Sequence, residues 1–132
     1  MIFLFLWRKV IYGMPINIRV VSNAEEWNEV ISSCDIKDVY FQYVYAQAMA
    51  IHFKARPVLV NCFDELGGFV YVLLINDIAN DSKFKDIIPR NKYFDAETPY
   101  GYGGPYFYGA RLDPKWGNDC RREIKKALVE RG

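Results

Sequence analysis

The chain has 132 residues, of which 52% are hydrophobic and 25% charged, and its formal net charge is +1 at pH 7. This composition is typical of a single globular domain and excludes a disordered or low-complexity chain. Because the net charge is small, the protein has no broad positive electrostatic field that would attract DNA. We therefore expect no DNA partner. Cys34, Cys62 and Cys120 form no CxxC pair and are odd in number. We therefore predict that these cysteines fill small apolar spaces in a protein of the reducing cytoplasm. We predict no disulfide framework and no metal site.

Residues 1–13 are an apolar N-terminal extension in front of Met14. The apolar run from Ile2 to Trp7 has six residues, whereas a membrane-spanning helix needs about 20. A secretory signal would carry positive charge before this run and a small-residue cleavage site after it. We therefore expect no membrane span. We interpret the extension as a start codon assigned too early rather than as a membrane anchor, with residues 14–132 forming the domain.

The first half of the chain predicts one strand followed by two helices. Apolar and polar residues alternate over 16–20, which predicts strand β1. Ser22 and Glu25 form a capping box for helix α1 over about 23–33. Helix α2 is predicted over about 38–53. His52, the only histidine, lies near the end of α2, where a packed or helix-terminal role is favoured over a catalytic base. The apolar face predicted for α2 consists of Phe41, Val44, Tyr45, Ala48, Met49 and His52.

The second half predicts three strands and a final helix. Apolar runs over 58–63 and 69–75 predict β2 and β3, which residues 64–68 join as a hairpin. A polar excursion over 76–90, with one helical turn around Phe84, precedes β4 over 93–96 and a loop over 97–111. Asp113 and Pro114 form a good start for helix α3, although Asn118 could cap a later start. The inner side of α3 should carry Trp116, Cys120, Ile124 and Leu128, with Arg121, Arg122, Lys125 and Lys126 mostly turned outward.

These elements predict an α/β fold in the order β1-α1-α2-β2-β3-β4-α3. The hairpin makes the sheet mixed but largely antiparallel, with helices flanking it. The segment of unusual composition is 98–109, which holds two prolines, four glycines and four tyrosines. Its chemistry suits contact with a ligand or partner as well as it suits plain packing. The glycine spacing matches neither a dinucleotide-binding loop nor a P-loop.

The stretch from Asp95 to Pro105 reads D-A-E-T-P-Y-G-Y-G-G-P. It resembles the D-x-x-T-P-Y-G-Y-G-G-P signature of Fem-like and related GNAT-type N-acyltransferases. Upstream, Asp38 to Phe41 and the helix that follows resemble the D-x-Y-F segment of the same family. The likeness covers roughly residues 27–107. The order of the predicted elements also matches the first part of the GNAT fold, so the resemblance implies a GNAT-like sheet that is incomplete at the C-terminus.

The resemblance implies the N-terminal, substrate-side portion of an N-acyltransferase, which moves an acyl or aminoacyl group to an amine. The donor in the full-length family is acyl-CoA or aminoacyl-tRNA, and the amine acceptor is a small molecule or a cell-wall precursor. Asp95 or Glu97 could approach the amine as a general base, although loop-anchoring hydrogen bonds from Asp95 and Thr98 are favoured. No residue is assigned as catalytic. The resemblance implies that the residues that bind the substrate are Asp95, Thr98, Tyr100, Gly101, Tyr102, Gly103 and Gly104.

The family's R/Q-x-x-G-x-G/A loop, whose backbone N–H groups bind the cofactor pyrophosphate, is missing from this sequence. We therefore expect no cofactor to bind this chain alone, and we expect the chain to be inactive by itself. An incomplete sheet would bind a complementing C-terminal half or self-associate, because open edges and apolar patches drive association. The alternative function is a non-catalytic binding module that uses the tyrosine-glycine loop over 97–109.

Overall fold

The computed structural model describes residues 16–99, 104–109 and 114–131. These residues form a mixed α/β fold with antiparallel strand pairs, as predicted. Two short 3-10 turns lie at Val39–Phe41 and Ile78–Asn80. The strands and helices, in chain order, are β1 (Asn17–Val21), α1 (Ala24–Ser33), α2 (Tyr43–Phe53), β2 (Arg56–Asp64), β3 (Gly67–Asp77), β4 (Phe94–Glu97), β5 (Tyr106–Gly109) and α3 (Pro114–Arg131).

The sheet follows the order β1-β2-β3-β4, with β5 also paired to β3. Only Glu65 and Leu66 separate β2 from β3, so these neighbouring strands form the antiparallel hairpin that the sequence predicts. Within the turn, the carboxylate of Asp64 accepts a hydrogen bond from the N–H of Leu66 at 2.8 Å. Strand β3 extends to Asp77 rather than ending at residue 75, because its polar end pairs with β4.

Strand β5 lies inside the segment predicted as a loop, so that prediction and the predicted element order are wrong at this point. Val70 of β3 faces Tyr106 of β5, whereas Leu74 of β3 faces Glu97 of β4. Residues 71–73 of β3 separate these two pairings, and β4 and β5 are separated in the sequence by residues 98–105. Aromatic residues favour strands, and the flanking glycines and prolines hid this preference in the sequence.

The chain divides into two compact units. The first contains Met1–Val20, Asn61–Val70 and Tyr106–Gly132, and the second contains Val21–Val60 and Tyr71–Pro105. Strands β2 and β3 each contribute one part to each unit. The residues that the sequence assigns to substrate binding therefore belong to the second unit, whereas β5 and α3 belong to the first.

Helix α1, in the second unit, begins one residue later than its predicted capping box. The side chain of Asn23 accepts a hydrogen bond from the N–H of Glu26 at 2.9 Å, so Asn23 is the cap and the prediction of Ser22 is wrong. Asparagine and serine side chains can both accept hydrogen bonds from the unpaired N–H groups at the start of a helix. The sequence alone could therefore not decide which of Ser22 and Asn23 is the cap. The residues that α1 buries are Trp27, Val30 and Ile31, which recur at helical spacing.

The predicted helix over 38–53 is broken at Gln42, whose backbone is extended. The carboxylate of Asp38 accepts a hydrogen bond from the N–H of Tyr40 at 3.0 Å and starts the separate 3-10 turn, which buries Phe41. Because the break removes the helical register between Phe41 and α2, the apolar face predicted for α2 is wrong. The residues that α2 buries are Ala46 and Ala50, while those it exposes include Val44, Ala48, Ile51 and His52.

Asp77 anchors the polar excursion that precedes β4. One of its carboxylate oxygens accepts from the N–H of Ala79 at 3.1 Å, and the other accepts from the N–H of Asn91 at 2.8 Å. The helical turn predicted around Phe84 is present, because its carbonyl accepts hydrogen bonds from the next turn at 3.0 Å. Two residues that lie 14 positions apart are thereby held together, and β4 starts beside the end of β3.

Helix α3, in the first unit, buries the inner row that its spacing predicts. Trp116, Cys120 and Ile124 are buried, and Leu128 is half-buried. The ring of Trp116 meets Phe69 of β3 edge-on, with centroids 5.8 Å apart. The predicted cap Asp113 lies outside the described residues. The basic side chains of the outward face, all exposed as predicted, are Arg121, Arg122, Lys125 and Lys126.

Candidate substrate-binding site

Asp95 and Glu97 stand on the same face of the edge strand β4, and both are exposed. The side chain of Asn76 on β3 donates a hydrogen bond to the carboxylate of Glu97 at 3.0 Å. Asp95 faces Asn76 in the strand register. Its carboxylate and the Thr98 hydroxyl make no hydrogen bond with the described part of the chain, so the loop-anchoring bonds favoured for them are not seen there. Glu97 is therefore positioned by a neighbour, whereas the carboxylate of Asp95 is open to solvent.

The centre of the tyrosine-glycine segment, Tyr100, Gly101, Tyr102 and Gly103, lies outside the described residues. Gly104 follows it with φ of 151°, in the region that favours glycine. A Cβ added at this position would meet no atom within 4 Å. The glycine is therefore required by the backbone conformation and not by lack of space.

Strand β5 continues the same segment in the first unit. The hydroxyl of Tyr108 donates a hydrogen bond to Oδ1 of Asn61 on β2 at 2.8 Å, and Asn61 is only 7% exposed. The sequence reasoning did not single out Asn61. A signal was present, because an amide within the apolar run Val58–Phe63 needs a hydrogen-bond partner once it is buried.

Cys62 and Cys120 are both fully buried, and they are near each other between β2 and α3. Burial raises the pKa of the Cys62 thiol far above its ordinary value, and the contact with Cys120 and the carboxylates of Asp64 and Glu123 raise this pKa further. A thiol held in its protonated form is a poor nucleophile. This environment favours a packing role for Cys62.

The described residues contain no group of three or more histidine, cysteine, aspartate or glutamate side chains that could hold a metal ion. His52 is exposed in the last turn of α2, where its ring contacts Phe53 with centroids 4.8 Å apart. That is the helix-terminal place favoured from the sequence. None of the helices in the described part of the chain is long and apolar enough to cross a membrane.

The polar groups at the end of β4 can bind a cation or an amine, since an exposed carboxylate stands beside a hydrogen-bonded one. None of the protein-family models, curated proteins or solved structures compared with this chain matches it.

Proposed function

We propose that this chain forms the substrate-side part of an N-acyltransferase of the Fem-like GNAT type, which moves an acyl or aminoacyl group to an amine. The observation that carries the proposal is the D-x-x-T-P-Y-G-Y-G-G-P string that begins at Asp95. The strand pairing supports it, because the string begins on β4 and continues between the two strands that pair with β3. Interruptions of strand pairing are frequent beside binding sites, where they present backbone polar groups to a ligand.

The chemistry assigned to this chain is the binding and deprotonation of the acceptor amine. An ammonium ion must lose a proton before its nitrogen can attack an acyl carbonyl. Asp95 is the candidate acceptor of that proton, since its carboxylate is exposed and makes no hydrogen bond within the described residues. Glu97, held by Asn76, supplies a second negative charge that favours binding of the cationic form. An acyl thioester or aminoacyl ester supplies the activated carbonyl.

The residues of this chain do not fit acyl-CoA. Gly109, at the end of β5, packs directly against the turn between β2 and β3. A Cβ at this position would lie 2.5 Å from the carbonyl oxygen of Leu66. The four residues that follow in the sequence, Ala110 to Asp113, include no glycine and one acidic residue, whereas a pyrophosphate-binding loop needs close backbone N–H groups and no negative charge. We therefore assign no step in this chain to the cofactor. Donor binding is assigned to a part of the enzyme other than these residues.

Two titrations of the protein test the proposal, the first followed by NMR and the second by calorimetry. We expect 1,5-diaminopentane, an amine without a carbonyl group, to shift the backbone resonances of Asp95, Thr98 and Gly104 in a saturable way. Asp95→Asn should abolish these shifts, whereas the matched control Asp86→Asn, on an exposed residue of the excursion, should leave them unchanged. Absence of shifts at these residues, or equal loss in both variants, would contradict the proposal.

Acetyl-CoA provides the second titration. We expect no binding in the low-micromolar range by calorimetry. Tight binding of acetyl-CoA would show that this chain carries its own donor site and that the assignment of the donor to other residues is wrong. A chain that binds the amine but transfers no acyl group after a donor domain is supplied would be a binding module.

A further inference from the structure

Helix α2 lacks the charged face that a surface helix usually carries. Its 11 residues read YVYAQAMAIHF and include no aspartate, glutamate, lysine or arginine. The residues that α2 buries are Ala46 and Ala50, which lie on one side of the helix. A surface helix normally presents charged and polar residues on the side opposite its buried face. The side of α2 opposite the two buried alanines is therefore unusual for a surface in contact with water alone.

The exposed side of α2 carries an apolar stripe that runs along the helix. Val44 is 79% exposed and Ile51 is 69% exposed, and Ala48 between them is exposed as well. Their spacing of four and then three residues places all three on one face of the helix. A contiguous apolar stripe on a surface marks an interaction site, whereas single scattered apolar residues do not. The stripe formed by Val44, Ala48 and Ile51 is therefore a surface that a partner should cover.

The order of large and small residues along the stripe makes it complementary to itself. Val44 precedes Ala48 by four residues and Ile51 follows it by three, so the small side chain lies near the middle. Two copies of α2 can cross in antiparallel orientation about a two-fold axis near Ala48, and Val44 of one protomer then lies beside the partner's Ile51. The two Ala48 side chains face each other at the crossing point, where their small size lets the helix axes approach closely.

The charges at the two ends of α2 favour the same antiparallel orientation. Residues 35–38, which precede the helix, include Asp35 and Asp38 and only one lysine, whereas Lys54 and Arg56 follow the helix. These aspartates and the two basic residues are exposed. In an antiparallel pair, the net negative end of each protomer meets the net positive end of its partner. A parallel pair would bring like charges together and would also align the two helix dipoles unfavourably.

We propose that the stripe is the interface of a weak homodimer, in which α2 packs antiparallel against α2 of a second copy of the chain. The stripe carries no positive charge, so it offers no attraction to a nucleic acid or to an anionic lipid headgroup.

The size of the stripe sets the strength expected of this dimer. A helix of 11 residues is about 16 Å long, and its face is smaller than the roughly 800 Å² per partner of a standard interface. We therefore expect a dissociation constant on the order of 100 µM. The interface differs from the open sheet edge expected from the sequence. It requires no acyl transfer, so it stands whether or not the proposed function is correct.

Sedimentation equilibrium of the full chain, at concentrations below and above this dissociation constant, tests the proposal. We expect the average mass to rise from that of a monomer toward that of a dimer. Ala48→Glu places two like charges at the crossing point, so it should weaken dimerisation at least about tenfold. Ile87→Glu is the matched control, because it puts the same charge on an exposed apolar residue outside α2 and should leave dimerisation unchanged. A wild-type chain that stays monomeric, or association that Ala48→Glu does not weaken more than Ile87→Glu, would overturn the proposal.

A mixture of two variants tests the position of the two-fold axis. Ala48→Lys alone should dimerise as poorly as Ala48→Glu, because two lysines then face each other. The mixture should associate more tightly than either variant alone, because a glutamate of one protomer then faces a lysine of its partner. Glutamate and lysine are good helix formers and Ala48 is exposed, so both variants should fold, and circular dichroism verifies this. If the mixture associates no better than the separate variants, Ala48 does not lie at the crossing point and the antiparallel assignment is wrong.

Discussion

Raising the pH above about 8.5 should destabilise the protein through the buried thiol of Cys62. In the unfolded chain this thiol titrates near its ordinary value, whereas burial keeps its pKa far higher in the folded protein. Above about pH 8.5 the unfolded chain therefore releases a proton that the folded chain retains. This difference favours unfolding, so the stability linked to Cys62 is complete below that pH and is lost as the pH rises.

The size of the effect follows from the width of the pH window. Each pH unit in which only the unfolded state is ionised lowers the free energy of unfolding by about 1.4 kcal/mol. From about pH 8.5 to about pH 10 the loss is therefore about 2 kcal/mol. That loss is a large part of the roughly 5–15 kcal/mol that holds a typical domain folded. No discount for solvent applies, because Cys62 is 0% exposed.

Urea unfolding followed by far-ultraviolet circular dichroism, under reducing conditions, measures this effect at a series of pH values. Tyrosines and lysines also titrate at high pH, so the informative quantity is the difference between wild type and Cys62→Ala. The variant lacks the titrating thiol but keeps Cys120. We expect the free energy of unfolding of the variant to fall less steeply with pH than that of wild type. Above about pH 8.5 the two slopes should differ by about 1.4 kcal/mol per pH unit. Parallel pH dependences in the two proteins would refute the reasoning.

Two further predictions concern the packing of each unit. Gly109→Ala should cost about 2 kcal/mol and loosen β5, because φ is 74° and a Cβ would lie 2.5 Å from the carbonyl oxygen of Leu66. Faster amide exchange in β5 would report that loosening, and unchanged exchange and melting temperature would contradict it. Trp27→Phe should cost about 2 kcal/mol, since it removes buried volume and the 2.9 Å hydrogen bond to the carbonyl of Phe41. Val44→Ala, at a site 79% exposed, is the control and should change stability by less than about 0.5 kcal/mol. Equal losses in these two helical variants would show that the Trp27 hydrogen bond is unimportant.

Several elements could be predicted because their signals are local. The inner row of α3, represented by Trp116 and Cys120, follows helical spacing and is buried as expected. The β2–β3 hairpin follows from two apolar runs joined by a short polar connection. Helix α2 could not be predicted correctly, because Asp38 offers an alternative hydrogen bond to the backbone and Gln42 adopts an extended conformation. Competition of this kind between side chain and helix leaves no trace in apolar spacing.

The candidate site divides in the same way between local and distant information. The resemblance located the segment from Asp95 to Gly104, and its assignment to substrate binding stays a prediction. The exposed places of Asp95 and Glu97 on β4, and the hydrogen bond that Glu97 receives from Asn76, required the structure. Two residues separated by 21 positions meet because the polar excursion returns the chain to β3, and Asp77 closes that excursion.

The sequence by itself determined the α/β class, the central hairpin, the inner face of α3 and the position of the tyrosine-glycine segment. Each of these depends on residues that are neighbours along the chain, where periodicity and turn chemistry act directly. Only the tertiary structure decided that Tyr108 donates to Asn61 across 47 positions, and that β5 pairs with β3. Both depend on strand register, which the packing of whole faces decides, because a shift of one residue would turn every side chain to the other side of the sheet.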